Sequence, residues 1–237
     1  MKKESTSLLP ILYRDAYLAA INKPSGLLVH RSRIARDRVT AMSRLRDQLN
    51  RWVYPVHRID RKTTGVLLFA LDRETARRMG EAFTCRTVRK CYLAIVRGWV
   101  LKAGTVEHPL KDPSSGNPLD ARSTYRPVAK IELPYPVGPY ETARYSMVEV
   151  EPHTGRWHQV RRHMRHIAHP IVGDSTHGEN RQNRLFRERL NVDSMLLHAA
   201  RLEFAHPRRA HPVRLSAPLP ESFRTVCSHF DWAIAPD

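Results

Sequence analysis

The sequence has few of the features that would tie a protein to a membrane or to an oxidising compartment. Its 237 residues include only three cysteines, Cys85, Cys91 and Cys227. An odd number at irregular spacing argues against a disulfide framework and for a reducing compartment. No apolar run approaches the roughly 18 residues of a membrane helix, and the polar residues 1–7 do not resemble a signal peptide. We therefore expect a cytoplasmic protein without a membrane partner.

Acidic side chains are also scarce. There are 23 Asp and Glu residues against 40 Lys and Arg, which gives a formal net charge of +17 at pH 7. A charge of this size bears on partners rather than on the fold. It favours nucleic acid, because neutralising phosphates releases counterions, and an anionic membrane surface is the weaker alternative.

Repeats, low-complexity tracts and obvious linkers are absent, and the length allows an ample core. Short apolar segments and amphipathic stretches predict an α+β fold with mostly antiparallel strands. Helices are predicted over residues 39–51, from Asp72 through Phe83, over 157–167 and after Pro220. Strands are predicted over residues 11–13, 17–21, 66–70, 90–97, 147–151, 196–198, 202–204 and 213–215. Loops are predicted over residues 31–38, 110–120 and 133–141.

The chain is organised around residues 56–70, where one carboxylate, Asp60, stands among cations and hydroxyls. Its neighbours are Arg58, Arg61, Lys62 and Thr63. Gly65 indicates a tight turn or a close backbone approach just before a buried strand. An aspartate that cations hold in place is what a positioned nucleophile requires. A loop carboxylate that caps a turn is the alternative, and this stretch alone does not separate the two.

A helical wheel of residues 157–167 supplies a partner for that carboxylate. One arc, which must face the core, consists of Trp157, Val160, Met164 and Ile167. Arg161 lies at the edge of the arc, where a half-buried guanidinium needs an anion. Asp60 would serve, and the pair would keep a nucleophile ionised and oriented. Glu149 or Glu151 would serve equally well.

Arg162 and Arg165 lie further round the same wheel. They are predicted to face solvent, where they would either contact phosphates or form an ordinary solvated face.

Four segments together resemble the pseudouridine synthases typified by the ribosomal large-subunit enzyme A. The segments are residues 22–30 (NKPSGLLVH), 57–65 (HRIDRKTTG), 90–96 (KCYLAIV), and 154–161 (TGRWHQVR) followed by 169–174 (HPIVGD). Any one of them could arise by chance, but four in the family's order form a specific signal. The resemblance implies the pseudouridine synthase catalytic fold, a mostly antiparallel mixed sheet flanked by helices with a central RNA-binding cleft.

The resemblance also implies the domain organisation and the reaction. Residues 1–237 would form a single catalytic domain of two closely packed subdomains, without a separate N-terminal RNA-binding module, and we take a monomer as the default. The reaction would isomerise uridine in RNA to pseudouridine without a cofactor or a metal ion. The target base must be flipped into a pocket to be reached.

The family's motifs assign roles to particular residues of this sequence. Asp60 would be the nucleophile, attacking either ribose C1′ or uracil C6, and Arg161 would pair with it. Tyr92 would stack on the uracil and act as the base for the C5 proton, directly or through water. Arg58 would fill the place of the flipped base. The predicted RNA-binding residues are Arg58, Arg61, Lys62, Arg162, Arg165 and Leu197, with Leu197 beneath the base.

The RNA class is implied by finer similarities. Residues 161–163, 173–178 and 181–184 resemble the branch of the family that modifies tRNA, which makes uridine 65 in the T-arm the expected target. Ribosomal RNA is the alternative substrate, because basic surface and shape serve both RNAs. An RNA-binding protein that has lost activity is a further alternative.

Histidines at positions 158, 163, 166 and 169 raise the possibility of a metal-dependent nuclease. They spread round the helix wheel, and no CxxC or HExxH motif accompanies them. We therefore expect structural or RNA-facing histidines and no metal site.

Overall fold

The computed structural model describes residues 8–31, 39–209 and 211–233. The helices are α1 (Ala41–Leu49), α2 (Arg73–Thr84), α3 (Gln159–His166), α4 (Asn180–Leu190) and α5 (Glu221–His229). The strands are β1 (Ile11–Arg14), β2 (Leu18–Lys23), β3 (Tyr54–Pro55), β4 (Thr64–Ala70), β5 (Arg89–Arg97), β6 (Gly104–Glu107), β7 (Leu110–Lys111), β8 (Pro118–Leu119), β9 (Arg122–Leu133), β10 (Ala143–Pro152), β11 (Leu197–Ala205) and β12 (Pro212–Ser216). Of the predicted basic loop, residues 32–38 lie outside the described part.

One sheet of ten strands carries the fold, in the order β1-β2-β4-β11-β5-β10-β9-β6, with β3 added to β4 and β12 to β11. Among the described strands the pairings are antiparallel except where β4 meets β11, with Thr64 opposite His198 and Gly65 opposite Ala199. The predicted α+β class with a mostly antiparallel sheet is confirmed. Strand β5 is central, as its apolar faces predict, because β11 and β10 flank it.

Helices cover both faces of the sheet. Along β4, Leu67 and Phe69 pack in a cluster with α1, while Leu68 packs in a cluster with Met79 of α2. All seven residues of β4 are therefore buried. Tyr92 contacts both the cluster of α1 and that of α3, so these two helices lie on one face, and the boundary between them falls at this tyrosine. The division into two subdomains stays a prediction.

Several elements differ from the sequence prediction. Helix α4 and strands β3 and β6 were not predicted, and the loop over residues 110–120 contains the small β7–β8 hairpin. The two strands predicted between residues 196 and 204 form the single strand β11. Helix α4 buries Leu185, Phe186 and Leu190 at helical spacing, a signal that its polar residues obscure. Within the described ranges no helix has the length and apolar composition needed to cross a membrane.

Candidate active site

Asp60 lies on the loop between β3 and β4, beside the core, as predicted. The turn closes through the Thr63 N–H, which donates to the Asp60 carbonyl at 3.1 Å. The ring of His57 connects the loop to β4 and α2, because its Nε2 accepts the Leu68 N–H at 3.0 Å and the ring stacks on Phe83. Burial lowers the pKa of His57 to about 3. The imidazole is therefore neutral and acts as a hydrogen-bond acceptor that fixes the loop.

Lys23 fixes the other side of the loop, a role that sequence reasoning missed. Its Nζ donates to the carbonyls of Pro24, Leu27 and Arg61 at 2.8, 2.9 and 2.9 Å. Burial lowers the pKa of this ammonium to about 7, although the nearby charge of Asp60 favours the charged form. Three acceptors match the three protons of an ammonium, so the geometry is that of the charged group. A lysine just before a Pro-Ser-Gly turn, which directs carbonyls inward, was the available signal.

Gly65 brings the start of β11 against the Asp60 loop. Its φ is +108°, and a Cβ placed there would lie 2.2 Å from the Ala199 carbonyl oxygen. Of the two predicted roles, the structure shows the close backbone approach. The neighbouring Thr64 hydroxyl lies 2.8 Å from Nδ1 of His198, whose Nε2 is 3.1 Å from the Ala217 carbonyl. A protonated Nε2 satisfies that carbonyl, and in the neutral ring Nδ1 then accepts from the threonine.

Arg161 connects Asp60 to a second carboxylate. Its Nη1 donates to Asp60 Oδ2 at 3.0 Å, and its Nε and Nη2 donate to the two oxygens of Asp174 at 2.7 Å each. The structure thus shows the predicted contact with Asp60. The alternative partners were wrong, because Glu149 pairs with Arg126 and Arg201 and Glu151 lies nearest Arg89. Asp174, the last residue of the HPIVGD segment, was overlooked as a partner.

The two carboxylates differ in exposure. The Asp174 side chain is 0% exposed and that of Arg161 is 7% exposed, whereas Asp60 is 21% exposed. Burial alone would raise the pKa of Asp174, but hydrogen bonds from Arg161 and from the backbone N–H groups of His177 and Thr176 lower it to about 2. Asp174 is thus a fixed negative charge that holds the arginine. Asp60 is left facing the open cleft.

The approach to α3 differs from the predicted helix. It begins at Gln159 rather than near Trp157, because His158 adopts a left-handed φ of 52°. Trp157 therefore does not join the core arc. It is exposed, and its ring stacks on His158 with centroids 3.7 Å apart.

His158 also faces the nucleophile candidate. Its Nε2 lies 3.9 Å from Asp60 Oδ2, and its Nδ1 lies 3.0 Å from Nε2 of His177. Burial lowers the pKa of His158 to about 4, so the imidazole is neutral at pH 7. If His177 donates to Nδ1, the proton of His158 sits on Nε2 and points towards the carboxylate, whereas the opposite tautomer would turn a lone pair against it. We therefore assign the first arrangement.

The TGRWHQ segment connects the start of α3 to β9 through the hydrogen bonds of the Gln159 side chain. The side-chain oxygen of Gln159 accepts from the Thr154 hydroxyl at 2.6 Å and from the Arg156 N–H at 3.0 Å. Its amide nitrogen donates to the Arg122 carbonyl and the Ser123 hydroxyl at 2.9 and 3.0 Å. These bonds satisfy the buried amide and fix the helix start, and with it the position of Arg161.

These groups open onto a cleft of about 750 Å³. It brings together five of the residues singled out from the sequence, namely Arg58, Asp60, Tyr92, Arg161 and Leu197. Leu197 is 2% exposed at the cleft floor, and Tyr92 is half-buried. Burial raises the pKa of Tyr92, and the charge of Asp60 adds to the effect, so the phenol is neutral. Three cations not predicted from the sequence also line the cleft, Arg86, Lys90 and Arg156.

The other predicted RNA-binding residues lie outside this lining. Arg61 donates to the Gly26 carbonyl at 2.9 Å, and Lys62 donates to Ser175 at 3.1 Å. Arg162 is half-buried rather than facing solvent, and it donates to the Lys111 carbonyl at 3.0 Å. Arg165 is exposed on α3.

The remaining histidines have structural contacts. His163 is 0% exposed and lies 3.0 Å from the Ser123 hydroxyl. His166 stacks on His108, and Nδ1 of His169 lies 2.9 Å from the Arg97 carbonyl. Over the described ranges, no three His, Cys, Asp or Glu side chains are arranged to hold a metal ion.

Comparisons with known proteins show the family and the fold of the chain. The family described as RNA pseudouridylate synthase matches residues 17–166. The tRNA pseudouridine synthase C of Vibrio cholerae is 44% identical over 236 residues, covering 95% of this chain and 97% of that protein. The protein of the same name from Haemophilus ducreyi is 45% identical, covering 94% of this chain and 96% of that protein. The solved structure of Human RNA Pseudouridylate Synthase Domain Containing 1 is similar over 100% of both chains, with a TM-score of 0.71 and 26% identity.

Proposed function

The chain belongs to the RNA pseudouridylate synthase family, a family of isomerases, and from this membership we propose that it converts a uridine of tRNA to pseudouridine with Asp60 as the nucleophile. The observation that carries the proposal is the array of Asp60, Arg161 and Asp174 at the cleft, in which a buried ion pair orients a second, accessible carboxylate. The choice of tRNA rests on relatives named tRNA pseudouridine synthase C that match nearly the whole chain. Uridine 65 of the T-arm is the proposed target.

Arg58 is suited to the base-flipping step. A uridine stacked in RNA cannot reach Asp60 and must leave the stack. Arg58 is exposed at the cleft and makes no hydrogen bond or ion pair with the residues that the structure describes. It is thus free to enter the vacated position, where its planar guanidinium stacks on bases and its charge pairs with phosphate.

The reaction needs no external reactant. The N1–C1′ bond breaks, a C5–C1′ bond forms, the proton leaves C5, and N1 gains a proton, so the atoms balance within the uridine. Arg161 contacts only Oδ2 of Asp60, and no hydrogen bond from the described residues ends on Oδ1. We assign Oδ1 to the attack, on either ribose C1′ or uracil C6.

Tyr92 is proposed to hold the uracil in place. It lies half-buried between the clusters of α1 and α3 and lines the cleft with Asp60. A ring fixed on both sides can stack on a base at little entropic cost. Because burial raises its pKa, the phenol is neutral, so it would serve as a proton relay: its oxygen receives the C5 proton, directly or through water, as its own O–H proton passes on towards N1.

The test maps pseudouridine by carbodiimide adducts and primer-extension stops. Unmodified tRNA transcripts and ribosomal RNA are incubated in EDTA with wild-type protein, Asp60→Asn or the control Asp120→Asn, which changes an exposed carboxylate outside the cleft lining. We expect a new stop in the tRNA T-arm with wild type and control only. Stops confined to ribosomal RNA would overturn the substrate, and turnover by Asp60→Asn would overturn the nucleophile. Salt-sensitive binding without any stop would indicate an inactive RNA-binding protein.

A further inference from the structure

Trp157 is an exposed apolar ring at the cleft that the proposed reaction does not use. Eight large apolar side chains are exposed within the described residues, and of these only Trp157, 40% exposed, lines the cleft with Asp60. Leaving so large a ring in water forgoes the stabilisation of burial. An exposed aromatic at a functional cleft therefore suggests a contact that forms only with a ligand.

The ring packs against two histidines. Trp157 stacks on His158 at an interplanar angle of 19°, and the edge of His177 packs at 79° with centroids 6.0 Å apart. We call these three side chains the stacking platform. The backbone N–H of His177 donates to Asp174 Oδ1 at 3.0 Å, and Asp174 is the carboxylate that holds Arg161. The platform and Asp60, the nucleophile candidate, are thus connected through Asp174 and Arg161.

We propose that the stacking platform receives a second nucleobase of the RNA, a neighbour of the uridine that Asp60 attacks. This inference rests on the proposed function. Flipping one uridine exposes one face of the base on each side of it, and a base whose exposed face Arg58 does not cover gains by stacking on another ring. Base–aromatic stacking tolerates any base, because every base has a π face. His158 lies between Asp60 and Trp157, so the Trp157 ring of the platform lies one ring further from Asp60 than His158 does.

Charge around the platform fits a nucleotide rather than a neutral or cationic partner. The guanidinium carbon of Arg162 lies 5.9 Å from the centroid of the Trp157 ring, and Arg156 and Arg58 line the same cleft. Such cations pair with the phosphates that flank a stacked base. Burial lowers the pKa of both histidines of the platform, which favours their uncharged forms, so the contribution of the platform should depend little on salt.

The test compares Trp157→Ala and Trp157→Phe with Trp52→Ala, a tryptophan that is 66% exposed and outside the cleft lining. KM and kcat are measured for pseudouridine formation on an unmodified tRNA transcript. Loss of one stacked base should raise KM about tenfold in Trp157→Ala. We expect kcat to stay near that of wild type, Trp157→Phe to recover most of the affinity, and Trp52→Ala to change neither constant.

A double-mutant cycle identifies the base. Transcripts carry an abasic nucleotide on one side or the other of the modified uridine, and each is combined with Trp157→Ala. We expect non-additive losses of affinity at one neighbour, since protein ring and base belong to the same contact. An unchanged KM in Trp157→Ala, a fall confined to kcat, or additive losses at both neighbours would overturn the proposal.

A binding measurement separates this proposal from the proposed function. Tryptophan fluorescence is titrated with the transcript in wild type, Trp157→Phe and Trp52→Ala. Quenching that disappears only in Trp157→Phe supports the platform even if wild type forms no pseudouridine in tRNA. Equal quenching in all three proteins overturns the platform whatever the outcome of the activity assay.

Discussion

Replacing Asp174 with asparagine would remove the negative charge that pairs with Arg161 while keeping the shape of the side chain nearly constant. In the folded protein this carboxylate receives two hydrogen bonds of 2.7 Å from Arg161 and two from backbone N–H groups, of Thr176 at 2.8 Å and His177 at 3.0 Å. An asparagine keeps one oxygen, but its amide nitrogen would face an N–H of the guanidinium. The buried arginine would then have Asp60 as its charged partner.

The size of the effect follows from the pKa of Asp174, which hydrogen bonding in the folded state lowers from 3.8 to about 2. One pKa unit corresponds to about 1.4 kcal/mol, so ionised Asp174 stabilises the folded state by about 2 to 3 kcal/mol at neutral pH. The donor facing the guanidinium in the variant adds an unfavourable contact. We therefore expect Asp174→Asn to lower the free energy of unfolding at pH 7 by at least about 2 kcal/mol.

The pH dependence of the free energy of unfolding gives the sharper test, because the stabilisation by Asp174 must decrease as the pH falls. Because the folded-state pKa lies below the unfolded value of 3.8, the stabilisation is complete above that value and is lost as pH falls through about 2. Urea unfolding of wild type and Asp174→Asn between pH 7 and pH 3 should show a constant difference above about pH 5, and at pH 3 about half of its charge-dependent part should be lost. Asp120→Asn, at an exposed position, controls for the loss of a carboxylate.

Activity should fall with stability, because Arg161 loses the contacts that orient it towards Asp60. Misorientation of a catalytic group commonly lowers kcat by about tenfold to a hundredfold. A difference in unfolding free energy that does not change with pH would refute the electrostatic account. So would wild-type kcat in Asp174→Asn.

Three further changes test the loop that carries Asp60. Lys23→Met should lower the free energy of unfolding by about 3 kcal/mol, because three carbonyls lose their hydrogen-bond donor. Urea unfolding measures this change, and an unchanged midpoint would contradict the role of Lys23 in holding the loop. Gly65→Ala should lower Tm by about 10 °C, because a Cβ at φ +108° would lie 2.2 Å from the neighbouring strand. The control Gly80→Ala in α2, where a Cβ meets no atom within 4 Å, should leave Tm unchanged or raise it. Arg58→Ala should keep Tm and lower kcat/KM about tenfold, with partial recovery in Arg58→Lys; equal kcat/KM in all three proteins would exclude the gap-filling role.

Much of the site could be predicted from local sequence. Turn chemistry and apolar runs placed Asp60 beside a buried strand, and the wheel of α3 singled out Arg161 as the half-buried arginine. Both predictions depend on neighbours within a few residues, where side-chain periodicity is reliable. The same wheel misplaced Trp157, because the left-handed backbone of His158 delays the helix start, and no periodic pattern reports a single backbone angle.

The partners of buried charges were harder to predict. Sequence reasoning offered three carboxylates for Arg161, and the structure pairs it with one of them and with Asp174. It gave no role to Lys23. A buried cation binds whatever acceptors the surrounding chain directs towards it, and those acceptors are set by how distant segments pack.

By itself the sequence determined the α+β class, named the candidate reacting groups and indicated an anionic partner, because motifs, periodicity and net charge are properties of the chain. The tertiary structure decided which of those groups meet. Asp60 and Arg161 are 101 positions apart and still lie 3.0 Å from each other. That contact exists because Gly65 lets β4 approach β11, and because Gln159 seats α3 on β9. Packing over such separations is not encoded in any one segment, and it places a partly exposed carboxylate beside a buried ion pair.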